Sequence, residues 1–366
     1  MKNFPLWLFF LLLIPLVWVF FPVPPGDFLK TLKEGITSFS TWRVILIVYF
    51  VLVLGRTMRE SGTIEEVGRY LRGMMPNKKL ALSVPPALVG MLPMPGGALL
   101  SAPLIEDVDR SLPPHHLAFI NYWFRHIWEY CLPIYPGLIV AAGILEVPIR
   151  KLSLYQFPLT FLAFGTGYLF ISGFVKERRR EEKGKVRFPW KIFPLLFLII
   201  LGFRFDLLYL FPLFLIFLFI QHRLNPWKIL KNAFSFSTIF LIFVIMVFKH
   251  VLTSNPGFQE LVAGGGKRYI FLLSFLSGYL TGVNQAYIAM SFPFLVPLFR
   301  TGEIGLPAVM YTYTVGFMGV LLSPFHLCFI LTREYYGASL KDTYRDLILP
   351  VFSIFLLATV WYLWSV

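Results

Sequence analysis

The sequence has few charged residues and only two cysteines, and both shortages limit what the chain can be. Charged residues make up 14% of its 366 residues, against 57% hydrophobic and 18% aromatic residues. A soluble domain carries about 25% charged residues on average, so we interpret this composition as that of a multi-pass membrane protein. Cys131 and Cys328 both fall inside apolar segments, so no disulfide framework is indicated.

The sequence also lacks the local signatures of common hydrolases and metalloproteases. It contains no Gly-x-Ser-x-Gly and no His-Glu-x-x-His motif. We therefore predict that the chain is not an enzyme and has no cofactor and no metal, with an intramembrane enzyme acting on lipid as an alternative. His126 and Glu129 have the spacing of a metal-binding pair, but no third ligand follows at a suitable distance along the chain.

The formal net charge of +14 comes from basic residues in short loops between apolar runs. Such loops, here residues 56–79, 176–187 and 222–231, are typical of the cytoplasmic side of a membrane protein. We therefore predict a multi-pass protein of the cell (inner) membrane with a cytoplasmic N-terminus. The predicted partner of these charges is the lipid bilayer, not nucleic acid.

The chain divides into four predicted segments. The first apolar run, Phe4–Phe21, is long enough to span and is followed by prolines rather than a small-residue cleavage site, so we interpret it as a retained span. Residues 1–36 form an N-terminal transmembrane helix with a linker, and 37–175 form a first repeat. Residues 176–228 form a basic cytoplasmic loop with two linking spans, and 229–366 form a second repeat.

Two apolar stretches are interrupted at membrane depth. The first breaks at Pro93–Gly97, and each flanking segment is shorter than the roughly 20 residues that a span requires. Proline removes an amide donor and glycine has the highest entropy cost in a helix, so neither favours a continuous helix there. Broken backbone at this depth persists only where it is buried in protein or lines a watery cavity. The second break lies at Thr281–Gln285; the alternative for each break is a simple packing kink.

The two breaks belong to a repeat with an offset of about 190 residues. The first repeat has a hairpin at 79–108 and a broken span at 114–145, and the second has a hairpin at 267–299 and a broken span at 304–338. The loop charges predict that the hairpins enter from opposite sides, an inverted-topology arrangement that is typical of secondary transporters. The predicted fold class is an all-α polytopic membrane protein with two inverted repeats, re-entrant helical hairpins and about nine spans.

Two motifs carry a resemblance to a known family. "LPMPGGALLSAPLIEDVD" and "LLSPFHLCFILTREYYG" resemble an uncharacterised prokaryotic membrane family, domain-of-unknown-function family 401. The order of elements is similar to that of the ion transporter superfamily, which includes citrate, dicarboxylate, gluconate, arsenite and sodium/proton carriers. The resemblance implies an elevator-type carrier with inverted repeats, commonly a homodimer. The superfamily's sodium-binding Ser-Asn-Thr signature is absent apart from Thr281 and Asn284, which favours protons over Na⁺ as the coupling ion.

Half-helix N-termini at such breaks attract anions, and freed carbonyls attract cations. Asn121, Arg125 and Glu129 are four residues apart and are expected to share one helix face, with His126 beside them. We predict that Glu129 and His126 carry the coupled proton. The predicted substrate-binding residues lie at the breaks and on the broken spans: Pro95, Gly96, Gly97, Thr281, Gly282, Asn284, Gln285, Tyr135, Ser323, His326 and Arg125. The alternatives are a structural Arg125–Glu129 pair and a satisfied core role for His326.

The sequence thus predicts a secondary active transporter of a small anion, most simply an organic carboxylate. The site is expected between the hairpin tips and the broken helices, with proton coupling and alternating access of the elevator type. A cation/proton exchanger, with Glu129 or freed carbonyls at the ion site, is the alternative.

Overall fold

The computed structural model describes residues 5–63, 66–67, 70, 75, 77–94, 96–176, 190–265 and 269–365, and these residues contain helices and no strand. Five helices in this part of the chain are long and apolar enough to cross a membrane. They are Pro25–Glu60, Ile149–Ser172, Phe236–Thr253, Leu306–Tyr336 and Leu340–Ser365. The protein is therefore all-α and of the multi-pass membrane class, and the number of spans stays a prediction.

Most of the α-helices in the described part of the chain are joined by short connections. In chain order they are α1 (Leu6–Phe20), α2 (Pro25–Thr37), α3 (Phe39–Glu60), α4 (Lys78–Gly90), α5 (Gly97–Glu106), α6 (Pro114–His126), α7 (Pro136–Leu145), α8 (Ile149–Ser172), α9 (Phe193–Gly202), α10 (Leu207–Gln221), α11 (Pro226–Ala233), α12 (Phe236–Thr253), α13 (Pro256–Ala263), α14 (Ile270–Thr281), α15 (Asn284–Arg300), α16 (Leu306–Leu322), α17 (Leu327–Tyr336) and α18 (Leu340–Ser365). Short 3₁₀ turns precede Cys131 and α9.

The first break joins α4 and α5, which pack against each other as the first helix pair. The Asn77 side chain caps α4 by accepting from the amides of Lys79 and Leu80 at 2.8 and 3.2 Å. Gly96 starts α5 in the left-handed region (φ +73°), which costs glycine little. Lys78 pairs with Asp109. The start of α4 and the residues after α5 therefore lie together, and the break lies at the other end of the pair.

The second break joins α14 and α15, which form the second helix pair. Gly282 ends α14 in the left-handed region (φ +63°). The Thr281 hydroxyl donates to the Ser277 carbonyl at 2.6 Å and accepts from the Val283 amide at 3.3 Å. At the far end of α15, Arg300 contacts Glu146 at 2.9 Å. This far end therefore lies beside the end of α7.

Each helix pair packs on an interrupted helix. The first is α6, followed by a 3₁₀ turn over Ile127–Tyr130 and then α7. The second is α16 followed by α17, interrupted at Ser323–His326. The 3₁₀ turn winds more tightly than an α-helix and rotates Glu129 away from the face of Asn121 and Arg125. The expectation that these three residues share one face is therefore wrong.

Glycines allow both helix pairs to approach these helices closely. A Cβ on Gly90 would overlap the Arg125 carbonyl, and a Cβ on Gly278 would overlap the Gly316 carbonyl. Gly319 is similarly tight against the Phe275 carbonyl. Small residues at such contacts let helix backbones come together, which is how membrane helices associate. The breaks are consequently held directly against α6 and against the α16–α17 interruption.

Candidate functional site

Arg125 lies at the first break. Its side chain is 5% exposed, and one terminal nitrogen donates to the Met94 carbonyl at 3.0 Å. The other donates to the Cys328 sulfur at 3.0 Å, so the guanidinium links the first break to α17. Gly97 leaves room for it, because a Cβ there would lie 2.5 Å from a guanidinium nitrogen. The Nε–H of Arg125 is buried and has no hydrogen-bond partner in the described part of the chain.

His326 and His126 bring the second break to the same place. The Nδ1 of His326 lies 2.7 Å from the Gly282 carbonyl, and the Nδ1 of His126 lies 2.5 Å from the Tyr122 carbonyl. A carbonyl oxygen only accepts, so both Nδ1 atoms carry a proton. The two Nε2 atoms face each other at 3.2 Å. In two neutral rings both would present lone pairs, so this contact becomes favourable when one proton or another cation lies between them.

Glu129 connects the first interrupted helix to the second break. Its carboxylate accepts from the side-chain amide of Asn284, and its second oxygen lies 3.7 Å from Nε2 of His126. The Tyr313 hydroxyl donates to the Glu129 main-chain carbonyl at 2.8 Å. Arg125 and Glu129 have separate partners and form no direct ion pair. The alternative of a locked Arg125–Glu129 pair is therefore wrong.

Asn121 holds the start of α5 against α6. Its amide nitrogen donates to the Ala98 carbonyl at 2.9 Å, and its oxygen accepts from the Ser101 hydroxyl at 2.5 Å. All these atoms are buried, where a satisfied polar network fixes the relative position of two helices. The first break is thus positioned by Asn121 from the side and by Arg125 from its tip.

Not all predicted site residues belong to this cluster. Pro95 lies outside the described residues. The structure brings together Gly97, Arg125, His126, Glu129, Gly282, Asn284 and His326. Three of the remaining predicted residues have local roles: Gly96 forms the turn into α5, Thr281 bonds within the end of α14, and Ser323 Oγ accepts from the Phe325 amide at 3.2 Å. Tyr135 donates to the Gly90 carbonyl and so links the start of α7 to the end of α4. Gln285 is half-buried at the start of α15.

Comparison with known proteins identifies a family and a similar fold. The chain matches the family described as "Protein of unknown function (DUF401)" over residues 20–365. It belongs to the DUF401 family. Among solved structures, one titled "Crystal structure of the Alcanivorax borkumensis YdaH transporter reveals an unusual topology" aligns with a TM-score of 0.69 and 14% sequence identity, covering 99% of this chain and 98% of that one. This match shows a shared fold. No curated protein matches the sequence.

In this DUF401 protein, sequence reasoning missed three contributors to the site. The sequence indicates only that Cys328 lies in an apolar segment, whereas in the structure its sulfur accepts from Arg125. The Met94 carbonyl and the Tyr313 hydroxyl also hold site residues. Of these three, only Cys328 has a feature in the sequence that could have indicated its role. It follows His326 by two residues, so the two side chains could serve as neighbouring ligands. Backbone carbonyls and a tyrosine in an apolar helix give no such signal.

Two groups in the described part of this DUF401 protein have donor atoms that could hold a metal ion. Nε2 of His126, Nε2 of His326 and Sγ of Cys328 lie within 4.8 Å of one another. His326 and Cys328 are thus the donors that the sequence around His126 did not reveal, and Glu129 is not part of this group. Imidazole with thiolate suits Zn²⁺. The second group is His115, His116 and Asp346, where both Nδ1 atoms lie 2.8 Å from one carboxylate oxygen. Hydrogen bonds already satisfy that arrangement.

Charged side chains are paired around Glu146, the residue after α7. Lys249 and Arg300 contact its two oxygens at 2.7 and 2.9 Å. Burial raises the pKa of this carboxyl, but the hydrogen bonds from Lys249 and Arg300 outweigh burial and hold the pKa below its usual range. Glu146 thus stays ionised and ties the end of α7 to α12 and α15.

Proposed function

We propose that the protein is a secondary active transporter of a small organic anion, coupled to protons, with its site between the two breaks. The observation that carries the proposal is the buried Arg125 guanidinium. Its hydrogen-bond partners are a carbonyl and a sulfur, and no carboxylate lies within ion-pair distance among the described residues. A buried cation without a paired anion is costly, so such a residue marks a pathway or a ligand site. A substrate carboxylate at the unpaired Nε–H would supply the missing charge.

The surroundings of Arg125 also favour an anion. Gly97 begins α5 beside the guanidinium, and a helix N-terminus attracts negative charge. Asn284 begins α15 at the second break, and its side-chain oxygen is buried without a partner in the described residues. We therefore assign anion binding to Arg125 and the start of α5, and selectivity to Asn284, with Gln285 as its neighbour.

Proton coupling is assigned to His126, His326 and Glu129. The facing Nε2 atoms favour one shared proton, and the Glu129 carboxylate lies 3.7 Å from one of them. The Asn284 amide contacts the other oxygen of that carboxylate. A change in the charge of this cluster would therefore alter the hydrogen bonds at both breaks. Coupling to a proton gradient requires such a link between protonation and conformation. Of the superfamily's sodium signature only Thr281 and Asn284 are present, so Na⁺ is the less favoured ion.

Elevator-type movement and inverted repeats are part of the proposal. Gly90 and Gly278 occupy matching places in the two helix pairs, and each packs on a carbonyl of an interrupted helix. In the first helix pair, the end opposite the break lies beside Asp109. In the second helix pair, the end opposite the break is the end of α15, which lies beside Glu146. Entry of the two pairs from opposite sides is consistent with these contacts. The fold shared with a protein whose title calls it a transporter adds further support.

The test has two steps. A thermal-shift screen of mono-, di- and tricarboxylates on purified protein identifies a ligand, because binding to the folded state raises its apparent stability. Proteoliposomes then measure uptake of that ligand under an imposed pH gradient. We expect uptake in the wild type, loss in Arg125→Gln and wild-type rates in Arg333→Gln, a change at the end of α17. Gradient-independent uptake, or full uptake by Arg125→Gln, would contradict the proposal.

A cation exchanger is the second candidate, favoured by one specific observation. His126, His326 and Cys328 form a soft donor set between the two interrupted helices. Zn²⁺ binding measured by titration calorimetry, lost in His326→Gln, together with Zn²⁺ movement into proteoliposomes, would support this function. Absence of Zn²⁺ movement alongside proton-driven carboxylate uptake would rule it out.

A further inference from the structure

We propose that the cleft at the α7 end of the molecule binds an anionic phospholipid, with three arginines holding its phosphate. The cleft has a volume of about 460 Å³ and lies between the starts of α3, α8 and α10 and the end of α7. Arg43, Arg150 and Arg204 line it. It is separate from the buried cluster around Arg125, and the proposal does not depend on transport.

Charge makes the cleft attractive to an anion. Its two acids are already paired, since Asp206 contacts Arg43 at 2.7 Å and Glu146 contacts two other cations. Arg150 and Arg204 are exposed and have no ion pair with the described residues. Guanidinium groups suit phosphate because their N–H groups match its oxygens in pairs. The arginines therefore provide more positive charge than the protein itself neutralises.

Helix geometry adds to this attraction. Three helices begin at the cleft, α3 at Phe39, α8 at Ile149 and α10 at Leu207, and residues from the first turn of each line it. The N-terminus of a helix carries a partial positive charge and unsatisfied amide donors. Asp206 uses its side chain to cap only one of them, by accepting from the Leu208 amide at 3.0 Å. The helix ends and the arginines thus attract an anion to the same cleft.

The remaining lining identifies the anion as a lipid. Val44, Ile47, Ile139 and Leu207 give the cleft apolar walls. Phe39 and Phe205 at its rim are 72% and 54% exposed, as expected of side chains that face lipid. Arg150 lies in the first turn of α8, Arg43 in the second turn of α3 and Arg204 just before α10. All three are thus near the ends of apolar helices, where lipid phosphates are expected. A small soluble anion would leave the apolar walls uncovered, whereas acyl chains would cover them.

The experiment compares lipids and matched variants. Native mass spectrometry of the detergent-purified protein measures binding of phosphatidylglycerol and of phosphatidylcholine. We expect preferential binding of phosphatidylglycerol, and a roughly tenfold or greater loss in the R150Q/R204Q double variant, since each arginine near a phosphate contributes substantially. The control is R110Q/R345Q, which removes two exposed arginines at the opposite end and should bind as the wild type does.

Three outcomes would overturn the proposal. One is equal binding of the two lipids, and another is equal loss in the control variant. The third is complete displacement of phosphatidylglycerol by millimolar glycerol 3-phosphate or inorganic phosphate, which would make a soluble anion the ligand. If the double variant is not monodisperse, Arg150→Gln alone provides the same comparison, because Arg150 has no ion pair to lose within the described residues.

Discussion

Gly97 has no side chain, and this determines where the buried guanidinium of Arg125 can lie. The absent side chain is what lets the Arg125 guanidinium lie against the first break, 2.5 Å from where a Cβ would be. The backbone of Gly97 is helical, so an alanine there would not strain the main chain. Any effect of a larger residue at this position must therefore act through Arg125.

We expect Gly97→Ala to keep its fold and lose transport. The added methyl group would push the guanidinium away from the Met94 carbonyl, and displacements of about 1 Å can reduce rates by up to a hundredfold. Uptake in proteoliposomes and thermal unfolding of the same sample measure the two effects. Gly165→Ala is the control, because a Cβ on that helical glycine meets no atom within 4 Å. Wild-type uptake by Gly97→Ala would mean that Arg125 tolerates displacement.

Residue type alone could predict part of the site. The two breaks and Arg125, His126, Glu129 and His326 stand out, because proline, glycine and ionisable groups are unfavourable at membrane depth. The face of Glu129 could not be predicted, since it depends on a 3₁₀ turn that the local sequence does not specify. The role of Cys328 could not be predicted, because a buried core cysteine and a site cysteine can have the same apolar sequence context.

At the scale of helices, the ion pair between Lys78 and Asp109 joins the start of α4 to the residues after α5, at the end of the first helix pair opposite the break. Burial raises the pKa of Asp109, but hydrogen bonds from Lys78 and Ser111 outweigh burial and hold the pKa below its ordinary value. A carboxyl with a lowered pKa stabilises the fold above its unfolded-state pKa of about 4, and this contribution is lost as the pH falls through the folded-state pKa. The pair should therefore act at neutral pH and disappear in acid.

We expect Asp109→Asn to lower the free energy of unfolding at pH 7 by about 1 kcal/mol, a moderate value because the pair is partly buried. The difference from the wild type should vanish in acid, where Asp109 is itself protonated. Thermal unfolding between pH 3 and 8 measures this. Glu260→Gln serves as the control, since Glu260 is exposed and has no ion pair with the described residues. A difference that persists unchanged in acid would show that the charge is irrelevant.

The sequence also allows some helix ends to be predicted, as it does the two breaks. The predicted broken span 114–145 corresponds to α6 and α7, and the predicted hairpin 79–108 contains most of α4 and α5. Proline and glycine fix these ends locally. The cleft formed by α3, α7, α8 and α10 had no such signal, because it is created by residues distant in sequence.

At the scale of the whole molecule, the proposed elevator movement requires the helix pairs and interrupted helices to slide against α3. Gly143 of α7 lies against Val44 of α3 so closely that a Cβ would overlap the valine methyl group. A bond across this contact would fix the two parts. The homodimer implied by the family resemblance stays a prediction that native mass spectrometry can measure.

We expect the Gly143→Cys/Val44→Cys variant to form a disulfide on oxidation and to lose at least about 90% of its uptake, with recovery after reduction. Removing the valine methyl groups makes space for the sulfurs. A Cβ at residue 143 would lie 2.4 Å from a methyl carbon of Val44, so the two Cβ atoms would be within about 4 Å of each other, as a disulfide requires. Each single-cysteine variant should be unaffected by oxidant, which also controls for Cys131 and Cys328. Full uptake by the cross-linked protein would exclude sliding of α7 against α3.

Side chains of the first proposed repeat contact side chains of the second, and these contacts constrain how the sequence can evolve. Glu129 of the first repeat contacts Asn284 of the second, and Arg125 of the first contacts Cys328 of the second. If the two halves arose by duplication, they have since ceased to be independent, because a change on one side of either contact must be matched on the other. Family members should therefore vary at these positions in pairs, so that a homologue lacking the acid at 129 also lacks the amide at 284.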